Sequence, residues 1–176
     1  KTIRELKAMN IKETVMLTGD KKEVGEYVAK KLNMDKVYTE LLPDGKVEKV
    51  EELLKQKSEK GKLVFVGDGI NDAPVLTISD IGVAMGGLGS DAAIEAADIV
   101  IMTDETSKIS KAINLSKKTM RIVHENIIFA IFVKIAVLVL TAFGASTMWK
   151  AVFADVGVSV IAIINALRML NIKKFE

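Results

Sequence analysis

With 25 basic and 23 acidic side chains in 176 residues, the chain is too evenly charged, at net +2, to argue for a nucleic-acid partner. It has no cysteine, which excludes a disulfide, a thiolate nucleophile or a cysteine metal cage within it. A mean hydropathy of +0.28 beside 27% charged residues implies segregation: charge crowds residues 1–125 and the remainder is largely aliphatic.

The length suits one domain, or one domain with an appendage. The sequence starts at Lys1 with no signal-like stretch before its first charged helix, so it reads as a piece of a longer protein. Residues 1–10 place Ile3, Leu6 and Met9 at helical spacing. A strand at 14–17 closes in Thr18-Gly19-Asp20. Next come a helix at 22–32, a short strand at 36–39, a turn at Pro43-Asp44-Gly45-Lys46 and a charged amphipathic helix at 47–57. The apolar run 63–66 reads as a fully buried strand and stops abruptly at Gly67-Asp68-Gly69. Pro74, with its fixed φ, suits the first turn of the helix that follows. A strand at 81–84, a helix at 90–96 and a strand at 99–102 complete the alternation. This pattern predicts an α/β fold with a mainly parallel sheet.

In such folds ligands sit beyond the carboxyl ends of the strands. Asp68 and Asp72 fall there, as hard oxygen ligands suited to Mg²⁺ and a phosphate, although a small polar strand-to-helix turn accounts for an isolated Asp-Gly equally well. At the Thr18-Gly19-Asp20 turn the Thr18 hydroxyl and the Gly19 N–H can face a phosphoryl oxygen, or Asp20 can simply cap the next helix. Lys46 alone reads as a solvated lysine. Met85, Gly86, Gly87 and Gly89 precede Ser90 as a flexible turn, since no Walker lysine accompanies them. Asp80, Asp91 and Asp98 read as caps and turns.

From Thr106 a basic helical pattern, with Lys108, Lys111, Lys117, Lys118 and Arg121, leads into the apolar run 127–144. A second run covers 151–170, and each is about the ~20 residues that a bilayer span needs. Basic residues flank the two outer ends (Arg168, Lys173 and Lys174 after the second run), whereas the link between the runs offers only Lys150. The positive-inside rule thus puts both ends in the cytoplasm, with Trp149 as an interfacial anchor. Each span holds one costly charge, Lys134 in the first and Asp155 in the second. Opposite signs on adjacent helices suggest a pair. His124 reads as a surface residue.

The octet GDGINDAP (67–74), with LTGD (17–20) and Pro43-x-x-Lys46 before it, resembles the phosphorylation domain of P-type ATPases, which are haloacid-dehalogenase-like phosphotransferases. The segment 149–170, WKAVFADVGVSVIAIINALRML, resembles the last transmembrane helix of the branch that exports zinc, cadmium and lead. The resemblance implies a catalytic neighbourhood of Thr18, Gly19, Asp20, Lys46, Asp68, Asn71 and Asp72. In it Thr18 and Gly19 bind the phosphoryl group, Lys46 neutralises its charge, and Asp68 with Asp72 holds Mg²⁺, with ATP as substrate. It also implies that Asp155 is a transport-site carboxylate for a divalent ion and Lys134 its counter-ion. Copper is disfavoured, because the Tyr-Asn and Met-Ser-Ser motifs of the copper branch are absent.

The resulting expectation is the C-terminal part of a metal-exporting ATPase in a bacterial plasma membrane. Residues 1–105 form part of a partial haloacid-dehalogenase-like phosphorylation domain, 106–125 a stalk helix, 126–145 and 149–170 an all-α transmembrane hairpin, and 171–176 a tail. Residues 1–125 and the tail are cytoplasmic, and the partners are membrane lipid, the transported ion and the missing N-terminal parts of the chain. The D-K-T-G-T nucleophile of the family is absent, so this piece alone is expected to be inactive. A membrane-tethered phosphatase of the same superfamily, or a non-catalytic remnant, is the alternative.

Overall fold

The computed structural model describes residues 1–67, 70–86, 91–103, 105–144 and 148–170. Asp68, Gly69, Gly87, Gly89, Ser90, the 145–147 link, Lys173 and Lys174 lie outside the described residues. The chain divides into two compact units, Lys1–Ser110 and Lys111–Glu176.

The first unit alternates helix and strand: α1 (Thr2–Ala8), β1 (Val15–Leu17), α2 (Lys22–Leu32), β2 (Lys36–Tyr38), α3 (Pro43–Gln56), β3 (Val64–Gly67), a 3₁₀ turn (Ile70–Asp72), α4 (Ala73–Ile78), β4 (Ile81–Met85), α5 (Asp91–Ala96) and β5 (Ile99–Ile101). Every strand pair is parallel, as the alternation predicts. The strands form two sheets, however, one of β1-β2 and one of order β3-β4-β5. This placement overturns the expectation that 63–66 is fully buried. Among the described residues β3 pairs only with β4, and Val64 and Val66 are exposed. The covered centre is β4, whose Val83, Ala84 and Met85 are buried; Val83 and Met85 cluster with Ile101, and Ile81 and Ile109 pack against that cluster.

Pro43-Asp44-Gly45-Lys46 is the first turn of α3 and not a separate turn, because a proline near a helix start loses no hydrogen bond and already has helical φ. Nor is Asp20 the cap of α2, which starts from Lys21 without a side-chain cap.

Asp80 and Asp98 correct the simple cap-and-turn reading, and Asp35 joins them. Each stands immediately before a strand and accepts the N–H at the start of the neighbouring one. Asp35 takes the Thr14 amide at 2.8 Å, Asp80 the Leu63 amide at 2.8 Å, and Asp98 the Gly82 amide at 2.8 Å. Lysines reinforce two of them, Lys7 on Asp35 at 2.6 Å and Lys57 on Asp80 at 2.9 Å. The Lys7 and Thr14 hydrogen bonds hold the Asp35 carboxyl down at about 2. For Asp80 the Leu63 amide and then Lys57 do the same, again to about 2. The amino ends of the strands are therefore clamped by charge-assisted hydrogen bonds, and the carboxyl ends are left for loops.

Helix α6 (Ser107–Ala142) begins in this unit. Ser110 is 3% exposed and donates to Glu5 of α1 at 2.6 Å, while Thr2 and Thr106 share a 3.0 Å hydroxyl contact. In the second unit α6 continues and α7 (Met148–Leu167) follows, ending in a 3₁₀ turn (Arg168–Leu170). Among the described residues α6 is the one helix that passes a test of length and hydropathy for crossing a membrane. Its large apolar side chains Ile128, Ile131, Phe132, Ile135 and Leu138 are exposed, a pattern suited to a lipid solvent.

Candidate functional site

At the carboxyl end of β1 the backbone turns through Thr18-Gly19-Asp20. The Thr18 hydroxyl donates to Asp20 at 2.8 Å, and the Asp20 amide returns a bond to the same hydroxyl at 3.1 Å. Asp20 thereby orients the Thr18 hydroxyl and does not cap a helix. The turn is pressed against the segment leading into α3. The Leu41 amide bonds the Thr18 carbonyl at 3.1 Å, and a Cβ on Gly19 would lie 3.2 Å from the Leu41 oxygen. Only a glycine brings the backbone that close without displacing its neighbour.

One turn into α3, Lys46 reaches across to Asp72, which directly precedes α4, with Nζ 2.8 Å from Oδ1. Both groups are largely withdrawn from solvent, with side chains 21% and 11% exposed. The solvated-lysine reading of Lys46 therefore fails, because its partner lies 26 residues away in sequence. Asp72 makes no side-chain cap bond to α4. Its second oxygen faces the end of β3, where a Cβ on Gly67 would lie 2.9 Å from Oδ2 and 2.9 Å from the Asp72 Cβ. The absent side chain of Gly67 is what makes room for the carboxylate.

The structure thus brings Lys46 and Asp72 together and links the Thr18–Asp20 turn to the same edge through Leu41. Asn71 lies exposed in the 3₁₀ turn beside Asp72, and Asp68 lies outside the described residues. Among the described residues no three His, Cys, Asp or Glu side chains gather as a metal cage. A Mg²⁺ does not need one: one or two carboxylates with phosphate and water oxygens suffice, and a withdrawn carboxylate beside a glycine and a lysine fits that chemistry.

In the second unit Lys134 of α6 and Asp155 of α7 meet at 3.4 Å. Beside them is a cavity of about 230 Å³ whose walls include Val133, Val137, Ala154 and Val158. Nearer the other end of the same helix pair is a polar cluster that sequence reasoning missed. Asn165 donates to Asn126 at 2.8 Å, Asn126 to the Ala162 carbonyl at 3.1 Å, and Arg168 to Asn165 at 2.7 Å; Arg168 also pairs with Glu125 at 3.4 Å. An asparagine bordering the first apolar run and another inside the second were the available signal. His124 is exposed, as expected, with Nδ1 2.7 Å from the Met120 carbonyl.

A parallel α/β unit with a phosphate-compatible lysine–aspartate pair at its carboxyl edge is the architecture of haloacid-dehalogenase-like hydrolases, and the model of that family matches residues 1–77. More closely, the chain matches one segment of metal-transporting P-type ATPases. It is 58% identical over 97% of its length to the cadmium, zinc and cobalt-transporting ATPase of Bacillus subtilis, and 53% identical over 95% to the zinc-transporting ATPase of Synechocystis. It also superposes with a TM-score of 0.88, at 37% identity over 96% of its length, on a crystal structure of a zinc-transporting PIB-type ATPase in the E2·Pi state. The chain spans about a quarter of each: 24% and 23% of the two relatives and 27% of the crystallised chain.

Proposed function

We propose that this chain is the C-terminal part of an ATPase that exports divalent heavy-metal ions, Zn²⁺, Cd²⁺ or Pb²⁺, through an aspartyl-phosphate intermediate. The observation that carries the proposal is the Lys134–Asp155 contact at 3.4 Å between two apolar helices. A lysine and a carboxylate are costly in lipid, and their pairing marks a functional site. In this reading a divalent ion competes with the Lys134 ammonium for the Asp155 carboxylate, and the lysine reclaims the carboxylate when the ion leaves. Residues 1–105 belong to the phosphorylation domain, 106–125 to a stalk, and 126–145 with 149–170 to the membrane hairpin. Residues 1–125 and the tail 171–176 face the cytoplasm, in a bacterial plasma membrane.

The chemistry assigned to the cytoplasmic edge is phosphoryl transfer from ATP to an aspartate outside this chain. Such a reaction asks chiefly for positioning and charge compensation. The Gly19 amide donates to a phosphoryl oxygen, the Thr18 hydroxyl does so by turning the proton it gives Asp20 toward the ligand, and Lys46 offsets the developing negative charge. Asn71 lies alongside. Asp72, with Asp68, would hold Mg²⁺, whose chemistry is further neutralisation of the phosphoryl group.

Substitution Asp155→Ala in the full-length protein tests this function. Metal-stimulated ATP hydrolysis should be lost, while phosphorylation by inorganic phosphate, which needs no transported ion, should persist. An undiminished metal-stimulated rate would refute the assignment.

A further inference from the structure

Lys134 and Asp155 do not occupy the line along which their helices meet. At ~100° per residue, positions seven and eleven apart share a helix face. Counting from Asn126 gives Val133 and Val137, and counting back from Asn165 gives Val158 and Ala154; all four line the cavity, as Lys134 and Asp155 do from its rim. Lys134 is eight residues from Asn126 and Asp155 ten from Asn165, so each stands about 80° round from that seam. Their side chains are correspondingly 68% and 66% exposed. Two charges on the rim of a smooth Val/Ala seam have no packing of their own to fix their separation. One residue of axial slip moves them ~1.5 Å, enough to break a 3.4 Å contact.

What opposes slip is the asparagine pair, which lies on the seam itself. Asn126 is engaged from both ends, donating to the Ala162 carbonyl and accepting from Asn165, and Arg168 ties Asn165 to the Glu125 side of α6. A buried asparagine at a seam position is an established way for paired helices to select one register.

We propose that Asn126 and Asn165, braced by Arg168 and Glu125, are positioning residues that lock the register of α6 against α7 and so set how strongly Lys134 competes with a divalent ion for Asp155. The proposal rests on the transport reading above. With the lock intact, the ammonium stays in range of the carboxylate and holds metal affinity down, which favours release. With it broken, the lysine withdraws, metal binds more tightly and turnover falls.

The experiment measures Zn²⁺ binding to the purified full-length protein without ATP, by competition with a chelating dye, alongside the metal KM and kcat of ATP hydrolysis. Asn126→Ala and Asn165→Ala should each tighten Zn²⁺ binding by about three- to ten-fold, the range a single interhelical hydrogen bond in a membrane can supply, and should lower kcat. The double variant should tighten no further than Asn126→Ala alone, because that change already removes the contacts to both Asn165 and Ala162. In a Lys134→Ala background the Asn126→Ala change should have no effect on binding. Asn126→Ser and Asn165→Ser, smaller polar replacements, give the same readout should the alanine variants fold poorly. Unchanged or weaker Zn²⁺ binding in the asparagine variants, or an equal shift without Lys134, overturns the proposal. A wild-type protein that binds no Zn²⁺, or an Asp155→Ala variant that binds it normally, would instead overturn the transport reading.

Discussion

Replacing Gly67 by alanine separates the stability of the fold from the geometry of its site. The new Cβ would lie 2.9 Å from both Cβ and Oδ2 of Asp72 and 3.0 Å from the Phe65 ring. Normal contact requires ~3.5 Å or more, so Asp72 must retreat by roughly 0.5–1 Å. Overpacking of this kind costs about 1–3 kcal/mol, a Tm decrease of roughly 3–20 °C in a domain of this size. A misplacement of ~1 Å at a reacting centre costs about 10²-fold in rate. The Gly67→Ala full-length protein should therefore remain folded yet form phosphoenzyme from ATP about a hundredfold more slowly. Ile101→Ala is the control: it removes a buried side chain from the cluster with Val83 and Met85 rather than crowding Asp72. It should lower Tm at least as much while each folded molecule keeps its phosphorylation rate. A wild-type rate in Gly67→Ala, measured by acid-quenched incorporation of labelled phosphate, would refute the view that this glycine makes room for a working carboxylate.

Lys46→Ala leaves the Asp72 carboxylate without its cation in a site of low exposure. Phosphoenzyme formation should fall by about 10²–10³-fold and Lys46→Arg should restore only part of it, read in the same labelling assay. Asp80 supplies a pH prediction. Its folded value of about 2 lies below the ordinary 3.8, so its stabilisation is complete above 3.8 and disappears as pH falls from there toward 2. Denaturant titrations of Asp80→Asn should show lower stability at neutral pH and a flatter decline across that acid window. Gly25→Ala should destabilise despite the better helix propensity of alanine, because its Cβ would lie 2.4 Å from the Thr39 methyl and 3.1 Å from that of Thr18; a raised Tm would show that α2 can move aside.

Much of this fold is legible in the residue pattern, and the exceptions share a cause. The helix predicted at 22–32 forms with those bounds, and the strands fall within a residue of expectation, because hydrophobic periodicity is a local property. Burial is not local. Leu63-Val64-Phe65-Val66 reads as core, yet Val64 and Val66 depend on whatever lies beside β3. The Pro-Asp-Gly signal at 43–45 reads as a turn, and the amphipathic face behind it converts it into a helix start. At the site, Thr18, Gly19 and Asp72 are visible as residue types at strand ends. The role of Lys46 becomes visible only through Asp72, and those of Asp35, Asp80 and Asp98 only through the amides of neighbouring strands. Asn126 and Asn165 lie 39 residues apart, and only folding makes them neighbours.

The open flank of β3 bears on how the molecule can be handled. Among the described residues β3 is paired along one flank only, and an unpaired strand flank next to exposed Val64 and Val66 is a template for any extended peptide, including the same strand from another copy. Expressed by itself, the α/β unit should self-associate through that flank, and a lysine at Val64 or Val66 should act as a gatekeeper that keeps it monodisperse.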